Sequence, residues 1–131
     1  MKKNKDIKNL SDFKGKIFTG YVESKSSREK ADQLSQNDTT YIPANSFFSV
    51  LKNVWQARAD AIVVDDLIPK YYGVRYPEIK YRMLPLPDAD RNIGFIIKKG
   101  DTTLKEKIDH GLEVAKKDGS YQKLYQSYFG N

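Results

Sequence analysis

The stretch DAIVVDDLIPKYY, residues 60–72, holds the purest run of β-branched side chains in the chain, Ile62, Val63 and Val64, and ends in two adjacent carboxylates, Asp65 and Asp66. A continuous apolar run, rather than an alternating one, predicts a strand covered on both faces, as in a parallel sheet sandwiched between helices. The two acids then stand at the carboxyl end of that strand.

The flanking sequence agrees with such a sheet. Upstream, KIFTGYV (residues 16–22) favours a strand through Ile17, Phe18, Thr19, Tyr21 and Val22, with Gly15 opening it. Ser26 and Glu29 have capping-box spacing, which predicts a helix from about Ser27 to Leu34. A short strand over residues 39–42 is expected to close at Pro43, and Asn45 or Ser46 can cap a second helix. In that helix Phe47, Val50, Leu51, Val54 and Trp55 share one face and read as core.

Downstream, LIPKYYG reads as a short helix interrupted by Pro69 and ended by Gly73. EIKYRMLPLP (residues 78–87) and NIGFIIKKG (residues 92–100) each read as a strand. Thr103 and Glu106 repeat the capping-box spacing and open a helix with Leu104, Ile108, Leu112 and Ala115 on one face, Lys116 and Lys117 in its last turn and Gly119 at its end. Ser120 is expected to cap a final helix. Its Tyr121, Leu124, Tyr125, Tyr128 and Phe129 make an apolar face too large to leave in water. The alternation of strands and helices predicts an α/β fold: three layers, a mostly parallel sheet with helices on both faces, followed by a C-terminal strand and two helices.

The 131 residues suffice for one compact domain, and 39% hydrophobic with 31% charged residues is the balance of a folded globular chain. A net charge of +6 raises the possibility of nucleic-acid binding. The lysines are scattered, however, and no zinc-ligand spacing or RNA-binding signature accompanies them, so no nucleic-acid partner is expected. Without cysteine there is no disulfide framework, and the redox compartment stays open. The basic opening, MKKNKDIKNL, lacks the apolar run of a signal peptide, and no segment approaches the length of a membrane span.

Candidates for chemistry are few. The one histidine, His110, falls mid-helix with no catalytic frame and reads as a surface residue. Asp65, Asp66, Asp88 and Asp90 have no metal-site spacing, and the isolated glycines form no phosphate loop. No catalytic residue, metal or cofactor is expected. In an open parallel sheet, ligands gather outside the carboxyl ends of the strands. The SKSS turn (residues 24–27) and Asp65–Asp66 both fall on that edge. A helix N-terminus with a hydroxyl suits a carboxylate and an aspartate suits an ammonium group, which together would suit an α-amino acid. Simple capping remains open for both: Ser26 and Ser27 for the first helix, Asp65 and Asp66 for the segment that follows them.

IKNLSDFKGKIFTG, ARADAIVVDDLIPKYYG, NIGFIIKKGDTTLKEKI and KKDGSYQKLYQSYFGN resemble, in that order, segments of the solute-binding proteins of polar amino-acid ABC transporters, the bacterial extracellular solute-binding proteins of family 3. The closing pattern, D-G-S/T-Y-x-K-I/L-Y-x-x-Y/W-F-G, is the most specific of these. The resemblance implies one lobe of a type II periplasmic-binding-protein fold, with residues 1–10 a polar lead, 11–90 a second-lobe domain, and 91–131 the strand and helices that return to a first lobe whose N-terminal half this chain lacks. It implies a non-enzymatic binding module, periplasmic or cell-surface, serving a polar amino acid and an ABC transporter permease. Asp65 matches the family's ammonium-binding aspartate. Ser26 and Ser27 match the small hydroxyl residues that hold the α-carboxylate, with Lys25 in place of the usual glycine. Relatives of the same fold include cyclohexadienyl dehydratases and regulatory domains of lytic transglycosylases, but no catalytic carboxylate pattern here supports an enzyme. With half of the clamshell missing, weak or absent ligand binding is expected, as is a tail that folds back or exchanges between two chains as a homodimer.

Overall fold

The computed structural model describes residues 7–87 and 93–130. The chain divides into two compact units, Met1–Leu84 and Pro85–Asn131.

The first unit is built on a three-stranded, all-parallel sheet of β1 (Phe18–Tyr21), β2 (Tyr41–Ala44) and β3 (Ala61–Ile62), in the order β2-β1-β3. Phe18 pairs with Tyr41 on one side and Ala61 on the other, so β1 is the central strand. Helix α1 (Lys25–Leu34) and a 3-10 turn at Leu10–Phe13 cover one face, where Ile7, Phe13, Phe18 and Ala31 form a buried cluster. Helix α2 (Phe47–Trp55) covers the other through buried Val50 and Leu51. Helix α3 (Leu67–Arg75) follows β3. This is the expected α/β layering with helices on both faces.

The central strand carries a buried hydroxyl. Thr19 is 0% exposed; its Oγ1 donates to the Ile42 carbonyl at 2.7 Å and accepts from the Asn53 side chain at 3.1 Å. That pair ties β1, β2 and α2 together and satisfies a polar group that would otherwise be costly to bury. At the start of β3, the Asp60 carboxylate accepts the Ile17 backbone N–H at 2.9 Å, and Asp60 N–H donates to the Ile17 carbonyl at 2.7 Å, docking the third strand onto the first. Tyr41 lies across Gly20: a Cβ on Gly20 would come within 1.9 Å of the Tyr41 hydroxyl. Burial pushes that phenol up from its ordinary pKa, and its hydroxyl is buried without a hydrogen-bond partner.

Several expectations are corrected. The Ile62-Val63-Val64 run is not the strand covered on both faces that its continuous apolar character predicts. It pairs only through Ala61 and Ile62, and all three residues are half-buried, because β3 is an edge of this sheet with a neighbour on one side. The second strand runs through Pro43 rather than stopping there, and as part of an edge strand that proline can spare its ladder N–H. Helix α1 begins at Lys25 with Ser24 as its N-cap residue, so the capping box expected at Ser26 does not form. Helix α3 continues through Gly73 to Arg75, and Pro69 sits in its first turn, where no intrahelical N–H is required. Phe47 faces outward, half-exposed, instead of joining the core. Residues 78–86 form no strand.

In the second unit, α4 (Thr102–Lys117) is capped by Asp101, whose Oδ1 accepts from Leu104 N–H at 3.0 Å, not by Thr103. Its last turn carries Lys116 and Lys117, as expected. Gly119, left-handed at φ 82°, joins it to α5 (Ser120–Phe129), so glycine and not Ser120 holds the cap. Asn92 lies outside the described residues, and residues 93–98 form no strand: Ile93, Phe95 and Ile96 are exposed, with no sheet partner among the described residues. The two helices pack on each other and bury none of their residues.

Candidate functional site

Because all three strands are parallel, their carboxyl ends lie on one edge of the sheet. Each strand there passes through a short turn into a helix N-terminus: β1 to α1 at Ser24, β2 to α2 at Ser46, β3 to α3 at Asp65 and Asp66. Three helix N-termini, each with a partially positive end, therefore converge on the same edge. Pairing extends past Tyr21, with the Val22 N–H donating to Ala44 at 3.0 Å, so the turn after β1 leaves from a fixed point.

The predicted residues all sit on this edge. Lys25, Ser26 and Ser27 are the first three residues of α1. Ser27 is half-buried and its Oγ accepts from Ser24 Oγ at 2.8 Å, while Ser26 is exposed. Lys25 belongs to the helix rather than to the turn before it, and its ammonium lies 3.7 Å from Glu29 one turn on, both side chains exposed. An exposed pair of that kind contributes little to stability.

Asp65 and Asp66 have separate partners. Asp65 Oδ1 accepts the Leu67 N–H at 3.0 Å and starts α3. Asp66 occupies the N-cap position without a side-chain cap bond and pairs instead with Lys70 one turn along. The capping that sequence left open for these acids is thus present at Asp65, and its Oδ2 has no part in that bond.

Three further side chains shape this edge, of which sequence alone places only Ser24 there, as part of the SKSS turn. Ser24, the first residue of the SKSS turn, is the N-cap residue of α1. Ser46, one of the two caps the sequence offers for α2, accepts the Ser49 N–H at 3.1 Å and so also stands on this edge. Tyr21, the last residue of β1, stacks on Phe47, the first of α2, with ring centroids 5.5 Å apart. No group of acidic or histidine side chains among the described residues could hold a metal ion.

Residues 2–131 match the bacterial extracellular solute-binding proteins, family 3. The chain belongs to this family. It is 29% identical over 129 residues to the amino-acid-binding protein AabA of Dichelobacter nodosus, spanning 97% of this chain and 49% of that protein. It is 30% identical over 133 residues to the ABC transporter glutamine-binding protein GlnH of Bacillus subtilis (strain 168), spanning 98% of this chain and 46% of the relative. Among solved structures, an ancestral arginine-binding protein bound to glutamine superposes with a TM-score of 0.71 at 28% identity, covering 98% of this chain and 56% of that one. The chain therefore spans about half the length of the family-3 relatives it matches. These relatives are named for what they bind, not for a reaction, and the small parallel sheet with its helices corresponds to one lobe of a type II periplasmic binding protein.

Proposed function

We propose that this chain is the amino-acid-binding lobe of a family-3 solute-binding protein and supplies half of a ligand cleft. The observation that carries the reading is the convergence of Asp65 and the α1 N-terminus on the carboxyl edge of one parallel sheet. The first-turn amides of α1, with the Ser26 and Ser27 hydroxyls, would take an α-carboxylate. Asp65 would take the α-ammonium through Oδ2 while Oδ1 holds the helix. Residues 11–90 act as the second lobe and residues 91–131 as the returning part of the first. The amino acid is a polar one, delivered to an ABC transporter permease at the cell surface or in the periplasm.

A clamshell site gains affinity by burying its ligand between two lobes. This chain alone is expected to bind amino acids at millimolar strength or not at all. Calorimetry with glutamine, arginine and histidine, on the chain alone and on the chain mixed with a polypeptide supplying the other half of a family-3 protein, tests this. Binding appears only in the mixture and is lost with Asp65→Asn. Micromolar binding to the chain alone overturns the half-cleft, and binding in the mixture indifferent to Asp65→Asn overturns the role of Asp65.

A second reading is an interaction protein that keeps the lobe and has lost the ligand. The charged Lys25 in the first turn of α1 favours it, because a long side chain there can occupy the space a carboxylate needs. Under this reading the exposed apolar faces of α4 and α5 are covered by a partner chain, a tail-exchanged second copy included.

A further inference from the structure

The two faces of the sheet divide its carboxyl edge. Val63 packs with Phe18 and Ala31 in the cluster beneath α1, whereas Thr19 points the other way, to Asn53 on α2. Side chains alternate along a strand, so residues two apart share a face. Asp65 follows Val63 toward the α1 face, and Tyr21 follows Thr19 toward the α2 face. There Tyr21 stacks on Phe47, with ring centroids 5.5 Å apart and 23° between the ring planes. Counting on from the paired Thr19 and Ile62 puts Tyr21 level with Val64, the residue before Asp65.

This aromatic pair is not spent on the core. Phe47 shares a helical face with the buried Val50 and Leu51, yet it is 41% exposed, and Tyr21 is half-buried. The charges around it favour a cation. The turns from strand to helix carry Glu23, Asp65 and Asp66 and no basic residue. The lysines in the first turns of α1 and α3, Lys25 and Lys70, are each paired along their own helix, with Glu29 and Asp66.

We propose that the Tyr21–Phe47 stack is the side-chain subsite of the half-cleft and that it takes a planar cation, the guanidinium of an arginine-type amino acid. The inference rests on the amino-acid site proposed for this edge. With the α-carboxylate at α1 and the α-ammonium at Asp65, both on the α1 face, the ligand's side chain leaves across the edge toward the α2 face. An exposed ring attracts a cation to its negative face, and a guanidinium also stacks flat on it, which a compact ammonium group does not. Glu23, exposed in the turn two residues beyond Tyr21, adds charge of the sign that holds such a group.

The test is calorimetry on the chain mixed with a polypeptide supplying the other half of a family-3 protein, the same polypeptide serving every titration. L-arginine is compared with L-lysine, a cation without the plane, and with L-citrulline, the plane without the charge. Arginine is expected to bind tightest, and Phe47→Ala to weaken it about fivefold or more while narrowing its margin over lysine. Phe47→Tyr, which keeps a ring, restores it. Nuclear Overhauser contacts join the arginine δ-protons to the Phe47 ring, and circular dichroism confirms that each variant is folded. Arginine no tighter than lysine and citrulline, or arginine binding that is lost with Asp65→Asn but indifferent to Phe47→Ala, overturns the subsite and leaves the amino-acid site standing. Binding of no amino acid, or binding indifferent to Asp65→Asn, overturns that site and the subsite with it.

Discussion

Asp65 accepts the backbone N–H of Leu67 at 3.0 Å, so the aspartate at the carboxyl end of β3 begins a helix with one oxygen and keeps the other out of that bond. The capping role of Asp65 and its proposed ligand role are therefore separable by mutation. Asp65→Ala is expected to cost about 1 kcal/mol of stability through loss of the cap. Asp65→Asn keeps an acceptor and costs no more than a few tenths of a kcal/mol, while removing the charge an ammonium group would need. Urea denaturation of the two variants checks the difference.

Thr19 and Asn53 hold the central strand against α2 across 3.1 Å. Thr19→Val preserves shape and leaves the Asn53 amide without this partner, at a cost of about 1–3 kcal/mol. In a double-mutant cycle with Asn53→Leu the two losses should not add, because they remove the same bond.

Tyr41 carries a buried hydroxyl with no partner above Gly20. Tyr41→Phe is expected to leave stability unchanged or raise it, since the lost atom made no bond. Gly20→Ala forces Cβ onto that ring and should cost about 1–3 kcal/mol. The phenol's pKa is raised in the fold by burial. Its contribution is complete below the ordinary tyrosine range and is lost as pH rises through that range toward the raised value. Chemical denaturation at alkaline pH should show this slope in the native chain and a shallower one in Tyr41→Phe.

Ala57 ends α2 in the left-handed region at φ 55°, with its N–H donating to Val54 and the Arg58 N–H to Asn53. Glycine is the residue that adopts this conformation without steric cost. Ala57→Gly is expected to stabilise the chain by about 0.5–1 kcal/mol, read as a rise in the urea midpoint.

Local sequence determined the kinds of element and the edge on which the candidate site lies. Apolar runs of four to seven residues between polar turns specify strands, helical spacing in α1, α2, α4 and α5 specifies helices, and a parallel sheet has only one carboxyl edge for Ser26, Ser27 and Asp65 to share. Long-range pairing decided the rest. Ile62, Val63 and Val64 have strong strand propensity, yet only Ala61 and Ile62 pair, because β1 is their single neighbour. Phe95 and Ile96 read as a strand and remain exposed, because a strand exists only where another chain segment offers its hydrogen bonds. The spacing of Ser26 and Glu29 predicts a cap at Ser26, but β1 ends at Tyr21 and the Ser24 N–H closes a turn onto the Tyr21 carbonyl, so α1 begins earlier, with Ser24 as its N-cap. Whether Asp65 caps a helix, meets a ligand or does both depends on which of its oxygens the α3 amide occupies, a matter of three-dimensional placement that no residue spacing contains.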